Sequence, residues 1–475
     1  MSKRVGLILN SPIRDLGGLV LVAKALADAG VQVFIVPHNL ASKEGMYLGL
    51  DLVLLNYLRK TNKNLARDFT ETGTAVAVLD QEGGVMPDAN WFQSKLPSPS
   101  VCRLIKVFFS WGDHLAAFCI DHDIFGRDQI CITGSPRMDL LVEPNRSVVQ
   151  ELSKHEINFE GPLILINTRL SLVNPETGTQ IAVRLQNAKI TGREVHEIEE
   201  WQAIQQSALE ETANTANRLA TKFPGVHFVL RPHPFENVQT YNPLLKELPN
   251  LHLTREGSIQ GWLVRASAII QRCCSTAIEA GLVGVPVFSP CWIAMPQEIE
   301  SAESVSVGCQ DFEELARQIE TVIAGTYSIP PFVGEKLSEI VPKWFHQVDG
   351  KAHQRIADRI LLELHNMEKP DAGKMRQMYY EFHPLLSPSS RLQTLTWKMI
   401  RFLNLPVTTL QKAKVFDKYG KLESWKKSSK GFSVAQVQEM LDGFSSPGTY
   451  GASIANGNSL GRLTSLFSVR IVKKT

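Results

Sequence analysis

A short set of polar residues, each directly after an apolar run, holds the chemistry that this chain could perform. Leu79-Asp-Gln-Glu-Gly-Gly84 puts two carboxylates, Asp80 and Glu82, after an apolar pentapeptide with glycines behind them. Side chains alternate along an extended backbone, so the two acids can face the same way and one can serve as a general base; a solvated turn is the plainer alternative. Glu82 is the stronger candidate for the base. Arg231-Pro-His-Pro234 follows the apolar run His227–Leu230. Its prolines stiffen the backbone around an imidazole and a guanidinium, both able to hold phosphate oxygens, the arginine in a bidentate manner. Gln271-Arg-Cys-Cys-Ser-Thr-Ala-Ile-Glu-Ala280 is the most specific stretch. Ser275 and Thr276 open a short helix whose hydroxyls and free N–H groups suit a phosphate. Glu279 either closes a capping box with Thr276 or accepts hydrogen bonds from ribose hydroxyls.

Weaker signals surround these three. In Asn10-Ser-Pro-Ile-Arg-Asp-Leu-Gly-Gly18, Gly17 and Gly18 are expected in a strand-to-helix loop where backbone approaches a ligand, although GxGxxG is absent. Gly134 in Thr133-Gly-Ser-Pro-Arg137, and Asn167 and Arg169 in Ile166-Asn-Thr-Arg169, also follow expected strands. No DxD-like metal site is evident and the cysteines form no CxxC pair, so neither metal nor cofactor is expected.

These residues need a scaffold that gathers strand ends. Apolar runs of strand length alternate with helix-length periodic segments, the mark of βα units in parallel sheets. Strands are expected at Val5–Leu9, Val31–Val36, Asp51–Leu55, Ala75–Leu79, Lys106–Phe109 and Ile130–Thr133. After a polar, turn-rich stretch at 142–161 they resume at Leu163–Ile166, His227–Leu230, Ala268–Ile270 and Val285–Phe288. Helices are expected at Leu19–Ala29, Gln202–Phe223 and Phe312–Ile323, the first capped by Gly30. The fold class is therefore α/β with two Rossmann-like, doubly wound domains, 1–150 and 151–350, in which ligands lie beyond the carboxyl ends of strands. Residues 351–475 are expected as a helical, basic extension without a further buried strand, and Ser445–Ser459 as a mobile stretch.

Composition narrows the partners. The 475 residues carry a net charge of +2 and 44% hydrophobic residues, a soluble globular balance. Residues 411–475 hold nine Lys and two Arg against two Asp and two Glu, so +7 falls on the tail and −5 on the rest. No uniform basic face exists for nucleic acid. Ser390–Lys414 has apolar residues at helical spacing with basic residues between them, which suits core packing or contact with an anionic inner membrane. No run reaches the roughly 20 apolar residues of a membrane span. The seven cysteines read as free thiols, and the start of the chain reads as a strand, so a cytoplasmic location is expected.

Taken together, Ile13-Arg-Asp-Leu-Gly-Gly18, Asp80-Gln-Glu-Gly-Gly84, Phe109-Ser-Trp-Gly112, Thr133-Gly-Ser-Pro-Arg-Met-Asp139, Ile166-Asn-Thr-Arg169, Arg231-Pro-His-Pro234 and Cys274-Ser-Thr-Ala-Ile-Glu-Ala280 resemble the bacterial surface carbohydrate biosynthesis proteins. The resemblance runs to about residue 290. It implies a GT-B fold, akin to Kdo-type transferases of capsule and lipopolysaccharide and more distantly to UDP-GlcNAc 2-epimerases. By this resemblance His233-Pro234 contacts the nucleotide phosphate, Ser275 and Thr276 lie beside it, and Glu279 lies near the ribose. Glu82 carries the general base, with Gln81 standing where the family has an acid. Asn167 and Thr168 fit the family pattern, whereas Arg169 replaces a more apolar residue. The implied activity is glycosyl transfer from a nucleotide sugar to a polysaccharide or lipid-linked acceptor. A sugar epimerase and a non-catalytic nucleotide-sugar scaffold are the alternatives.

Overall fold

A computed structural model describes residues 2–45, 48–81, 89–154, 157–176, 195–296, 298–367, 431–456 and 464–474. Glu82, Gly83, Gly84 and the amphipathic segment 390–414 lie outside the described residues. The chain forms two compact units. One comprises Met1–Gly84, Lys95–Asp139 and His346–Thr475, the other Val85–Ser94 and Leu140–Phe345.

The first unit begins with six parallel strands: β1 (Arg4–Leu9), β2 (Gln32–Pro37), β3 (Leu52–Leu55), β4 (Ala75–Leu79), β5 (Ile105–Ser110) and β6 (Ile130–Ile132). Val5, Leu7, Ile8 and Leu9 are all buried, as are all four residues of β3, so both sheet faces are covered. This is why the strands read as continuous apolar runs rather than alternating ones. The second unit contains β7 (Leu163–Asn167), β8 (His227–Arg231), β9 (Leu251–Leu253), β10 (Ala268–Gln271), β11 (Val287–Pro290) and β12 (Val307–Cys309), in the order β12-β11-β10-β7-β8-β9. Its core gathers Ile164, Ile166, Phe228, Leu230 and Phe288 of the sheet with Leu209, Ala216 and Leu219 of the helix Val195–Lys222 and Leu315 and Ile319 of the helix Phe312–Ile323. The ten expected strands are present, Ala75–Leu79 with the expected bounds and the others with shifted ends. Short β9 and β12 lie at the two margins of the sheet and were not expected, because three residues carry too little pattern.

Three expectations are corrected. The helix expected from Leu19 begins at Pro12, with Ser11 as its N-cap, so Gly17 and Gly18 lie inside a helix and not in a ligand-facing loop. Proline is suited to a first helical turn, where its missing N–H costs nothing. Gly18 is buried, and a Cβ there would stand 2.9 Å from the carbonyl carbon of Pro136, so the glycine permits close backbone packing. Second, strands do follow residue 354: β13 (Tyr450–Asn456) and β14 (Thr464–Lys473) form an antiparallel hairpin, and β14 pairs antiparallel with β2, with Val469 and Ile471 buried. Seven of the fifteen residues expected to be mobile are thereby strand. Third, the boundary expected at 150 falls after Asp139, and the described residues beyond 350 join the first unit. Asp139 explains the join, because its carboxylate accepts the N–H groups of Ala352 and His353 at 3.1 and 2.7 Å and so caps the helix Ala352–Asn366.

Candidate functional site

In the second unit, the chain leaves β7 toward β8 on one side, and leaves its neighbour β10 toward β11 on the other, which makes the carboxyl ends of β7 and β10 a topological switch point. A crevice for ligands forms at such a point. Asn167 and Gln271, the last residues of these strands, are register partners. Three of the loops picked out by sequence meet here. The Asn167 Nδ2 donates to Thr276 Oγ1 at 3.1 Å, and the Thr168 hydroxyl accepts the His233 N–H at 3.3 Å. The Asn-Thr loop is thus the hub between the His-Pro loop and the hydroxyl-led helix Thr276–Leu282.

Within the His-Pro loop, His233 Nδ1 accepts the Phe235 N–H at 3.2 Å. In the neutral ring that bond places the proton on Nε2, which becomes the donor end of the imidazole. The ring is half-buried. Arg231 is buried and directs Nη2 at the carbonyl of Gly257, 2.5 Å away, with those of Arg255 and Glu256 farther off. These bonds tie it to the 255–257 turn. Arg255 in turn clasps the carbonyls of Pro234 and Glu236, both at 3.0 Å.

Glu236 was missed by sequence reasoning. It is fully buried and accepts the Leu170 N–H at 2.6 Å and the hydroxyls of Thr168 and Tyr241, each at 2.7 Å. Burial raises its pKa, and the hydrogen bonds from Leu170, Tyr241 and Thr168 oppose that rise. An acid two residues beyond a proline carries no sequence signal for this splicing role.

The third loop departs from expectation in one respect. Ser275, not Thr276, stands at the N-cap and makes no side-chain capping bond, and Glu279 is buried with Oε2 3.4 Å from Gln260 Nε2. Arg169 reaches the carbonyl of Cys273 at 3.4 Å. Burial pushes the Cys273 thiol up to about 11 and raises that of Cys274, so both are protonated at neutral pH and unsuited to nucleophilic work. All seven cysteines are free. Near these loops a recess of about 20 Å³ is lined by Asn167, Thr215, Gln271 and Met295. Asn167 Oδ1 and Thr215 Oγ1 are buried there without a partner among the described residues. A space of that size and polarity suits a single water rather than a sugar nucleotide.

The first unit carries its own polar cluster at strand ends. Asp80, 1% exposed, lies 2.5 Å from Arg59, so its charge is already paired. The Gln81 N–H donates to the carbonyl of Asn56. His38 Nδ1 is 3.0 Å from Asn56 Oδ1 and its Nε2 is 3.0 Å from the Tyr57 hydroxyl. Sequence reasoning passed over His38, Asn56 and Tyr57, although His38 and Asn56 directly follow apolar strands and Tyr57 comes next. Gly134, with φ of +78°, is buried in the turn after β6, and Arg355 Nε holds the neighbouring Thr133 carbonyl at 2.8 Å. Among the described residues no group of three or more His, Cys, Asp or Glu is placed to hold a metal, and no helix is long and apolar enough to cross a membrane.

No family model and no curated protein matches the chain. Among solved structures it is similar to the wall teichoic acid polymerase TagF, with a TM-score of 0.50 and 11% identity over 78% of this chain and 90% of that one. A UDP-GlcNAc 2-epimerase of Methanocaldococcus jannaschii, solved with UDP-GlcNAc and UDP, gives 0.49 and 12% over 76% and 99%. That of Neisseria meningitidis, bound to UDP-GlcNAc, gives 0.47 and 13% over 76% and 100%. At such identities the likeness to the polymerase is one of fold: two parallel-sheet domains of GT-B type.

Proposed function

We propose that this chain is a glycosyltransferase that takes a sugar from a nucleotide-activated donor and passes it to a surface polysaccharide or lipid-linked acceptor. CMP-linked Kdo or a related acidic sugar is the first donor to try. One observation carries the reading: the His-Pro loop and the hydroxyl-led helix, both with phosphate- or hydroxyl-binding side chains, are tied to one hub, Asn167-Thr168, at the switch point of the second sheet. His233 donates from Nε2 to a phosphate oxygen, and Ser275 and Thr276 add hydroxyl donors. Each such bond to a charged oxygen contributes about 1.5–3 kcal/mol, so several acting on the departing nucleotide lower the barrier together. Glu82, the base implied by the resemblance, deprotonates the acceptor hydroxyl. The fold shared with a polymerase of wall teichoic acid is in keeping with surface-polymer chemistry.

Thermal shift against CMP-, UDP-, GDP- and CDP-sugars tests the first step. A donor present at 100 times its dissociation constant stabilises the protein by about 2.7 kcal/mol. Transfer assays with the stabilising donor then compare the parent with His233→Ala and Glu82→Gln, both of which are expected to lose most of the activity. Silence toward every sugar nucleotide, or full transfer by both variants, overturns the proposal. A donor epimerised without any acceptor moves the chain to the epimerases. Binding without turnover makes it a scaffold.

A further inference from the structure

Between β10 and the hydroxyl-led helix, Cys273 adopts a left-handed backbone with φ of +57°. Only two other non-glycine residues do so among the described residues, Asp123 and His346. A buried cysteine has no local hydrogen bond of its own to reward this conformation, so its surroundings must impose it. The surroundings are specific. Glu303, which ends the helix Glu300–Glu303, accepts the Cys273 N–H on Oε1 at 2.6 Å, and Gln271 Nε2 lies 3.4 Å from the same oxygen. Its Oε2 takes the Ser289 hydroxyl at 2.5 Å and Arg272 Nη1 at 2.6 Å. Gln271 closes the turn from the other side by accepting the Cys274 N–H at 2.6 Å. Arg272 is held elsewhere too, by the Ile293 carbonyl at 2.8 Å and Glu298 at 2.5 Å. Every described polar neighbour of the Glu303 carboxylate is a donor, an arrangement that an acceptor-only group fits and an amide does not.

We infer that Glu303 is a positioning residue, which locks the left-handed Cys273 turn and thereby sets Ser275 and Thr276 where they meet the donor nucleotide. Nothing in the resemblance assigns it this role. The inference rests on the reading that the 274–276 segment contacts that nucleotide. Without the lock, Cys273 relaxes to an ordinary backbone conformation and the hydroxyls leave their places. Glycine at 273 adopts the left-handed form at no steric cost, so it restores what Glu303 otherwise imposes.

The test uses the full-length chain with Glu303→Gln, Cys273→Gly and the double variant, each checked for folding by circular dichroism. Amide exchange in the ligand-free protein reads the turn, and binding of CMP and UDP reads its use. In Glu303→Gln, exchange rises across 271–276 but not in β7 or β8, and affinity falls by about 5- to 30-fold, the population cost of the left-handed state. The double variant recovers at least half of that loss on a logarithmic scale, whereas a merely structural role predicts that the two losses add. Unchanged exchange in Glu303→Gln, or a double variant weaker than either single one, overturns the inference while leaving the proposed function intact. A parent protein that binds neither nucleotide, and no GDP- or CDP-sugar either, overturns both.

Discussion

Replacing Glu236 by alanine removes the acceptor of three buried donors at once: the Leu170 N–H and the hydroxyls of Thr168 and Tyr241. Hydrogen bonds to a charged group contribute about 1.5–3 kcal/mol each, but removing the buried charge returns part of that, so a net loss of about 3 kcal/mol is expected. For a unit of this size that is roughly 6–12 °C in melting temperature, read by calorimetry or a urea transition. Glu236→Gln separates packing from charge. With Oε1 kept on Leu170, the new NH₂ donates to both hydroxyls, which turn to accept it, so the melting temperature is expected to stay within about 3 °C of the parent. The pH dependence follows from the raised carboxyl pKa. A folded-state value above the unfolded one means that the native form binds the proton more tightly, so this contribution is complete at low pH. It is lost as pH rises from the ordinary value near 4.5 through the raised one. The parent should therefore lose stability relative to Glu236→Gln on going from about pH 4 to pH 7. An alanine variant as stable as the parent, or a glutamine variant as damaged as the alanine one, refutes the reasoning.

Gly18→Ala places a methyl group 2.9 Å from backbone of Pro136, which cannot yield as a side-chain tip would. Although alanine favours the helix by about 1 kcal/mol, overpacking costs roughly 1–3 kcal/mol, so thermal denaturation should show net destabilisation. A stabilised variant would remove the close-packing account of this glycine. His252 has its pKa lowered by burial and by His227, 3.1 Å away. A depressed histidine contributes stability above the unfolded value of 6.5 that is lost as pH falls. His252→Asn should flatten the stability profile between about pH 7 and pH 5, and an unchanged slope in urea titrations would contradict this.

The sheets of both units were legible in the residues alone, because a strand buried on both faces must be a nearly unbroken apolar run, and a parallel sheet requires helices between such runs. The same logic located the carboxyl-end loops at Asp80, Asn167, His233 and Thr276 without any coordinates. Local chemistry misled where a distant partner outweighs it. Gly17 and Gly18 read as a loop, yet Pro136 needs a bare backbone to pack against, and so the helix takes them in. Tyr450–Asn456 has a composition suited to a turn, but as an edge hairpin strand it pairs with β14, and the Tyr450 hydroxyl donates to Asp28 at 2.7 Å. Thr276 and Glu279 carry the spacing of a capping box, but the helix takes Ser275 as its N-cap, one residue earlier. Side-chain type and spacing thus determined which elements form and which residues reach the strand ends. Only tertiary structure decided their partners, since a hydrogen bond between residues far apart in the chain depends on distances that no local pattern encodes.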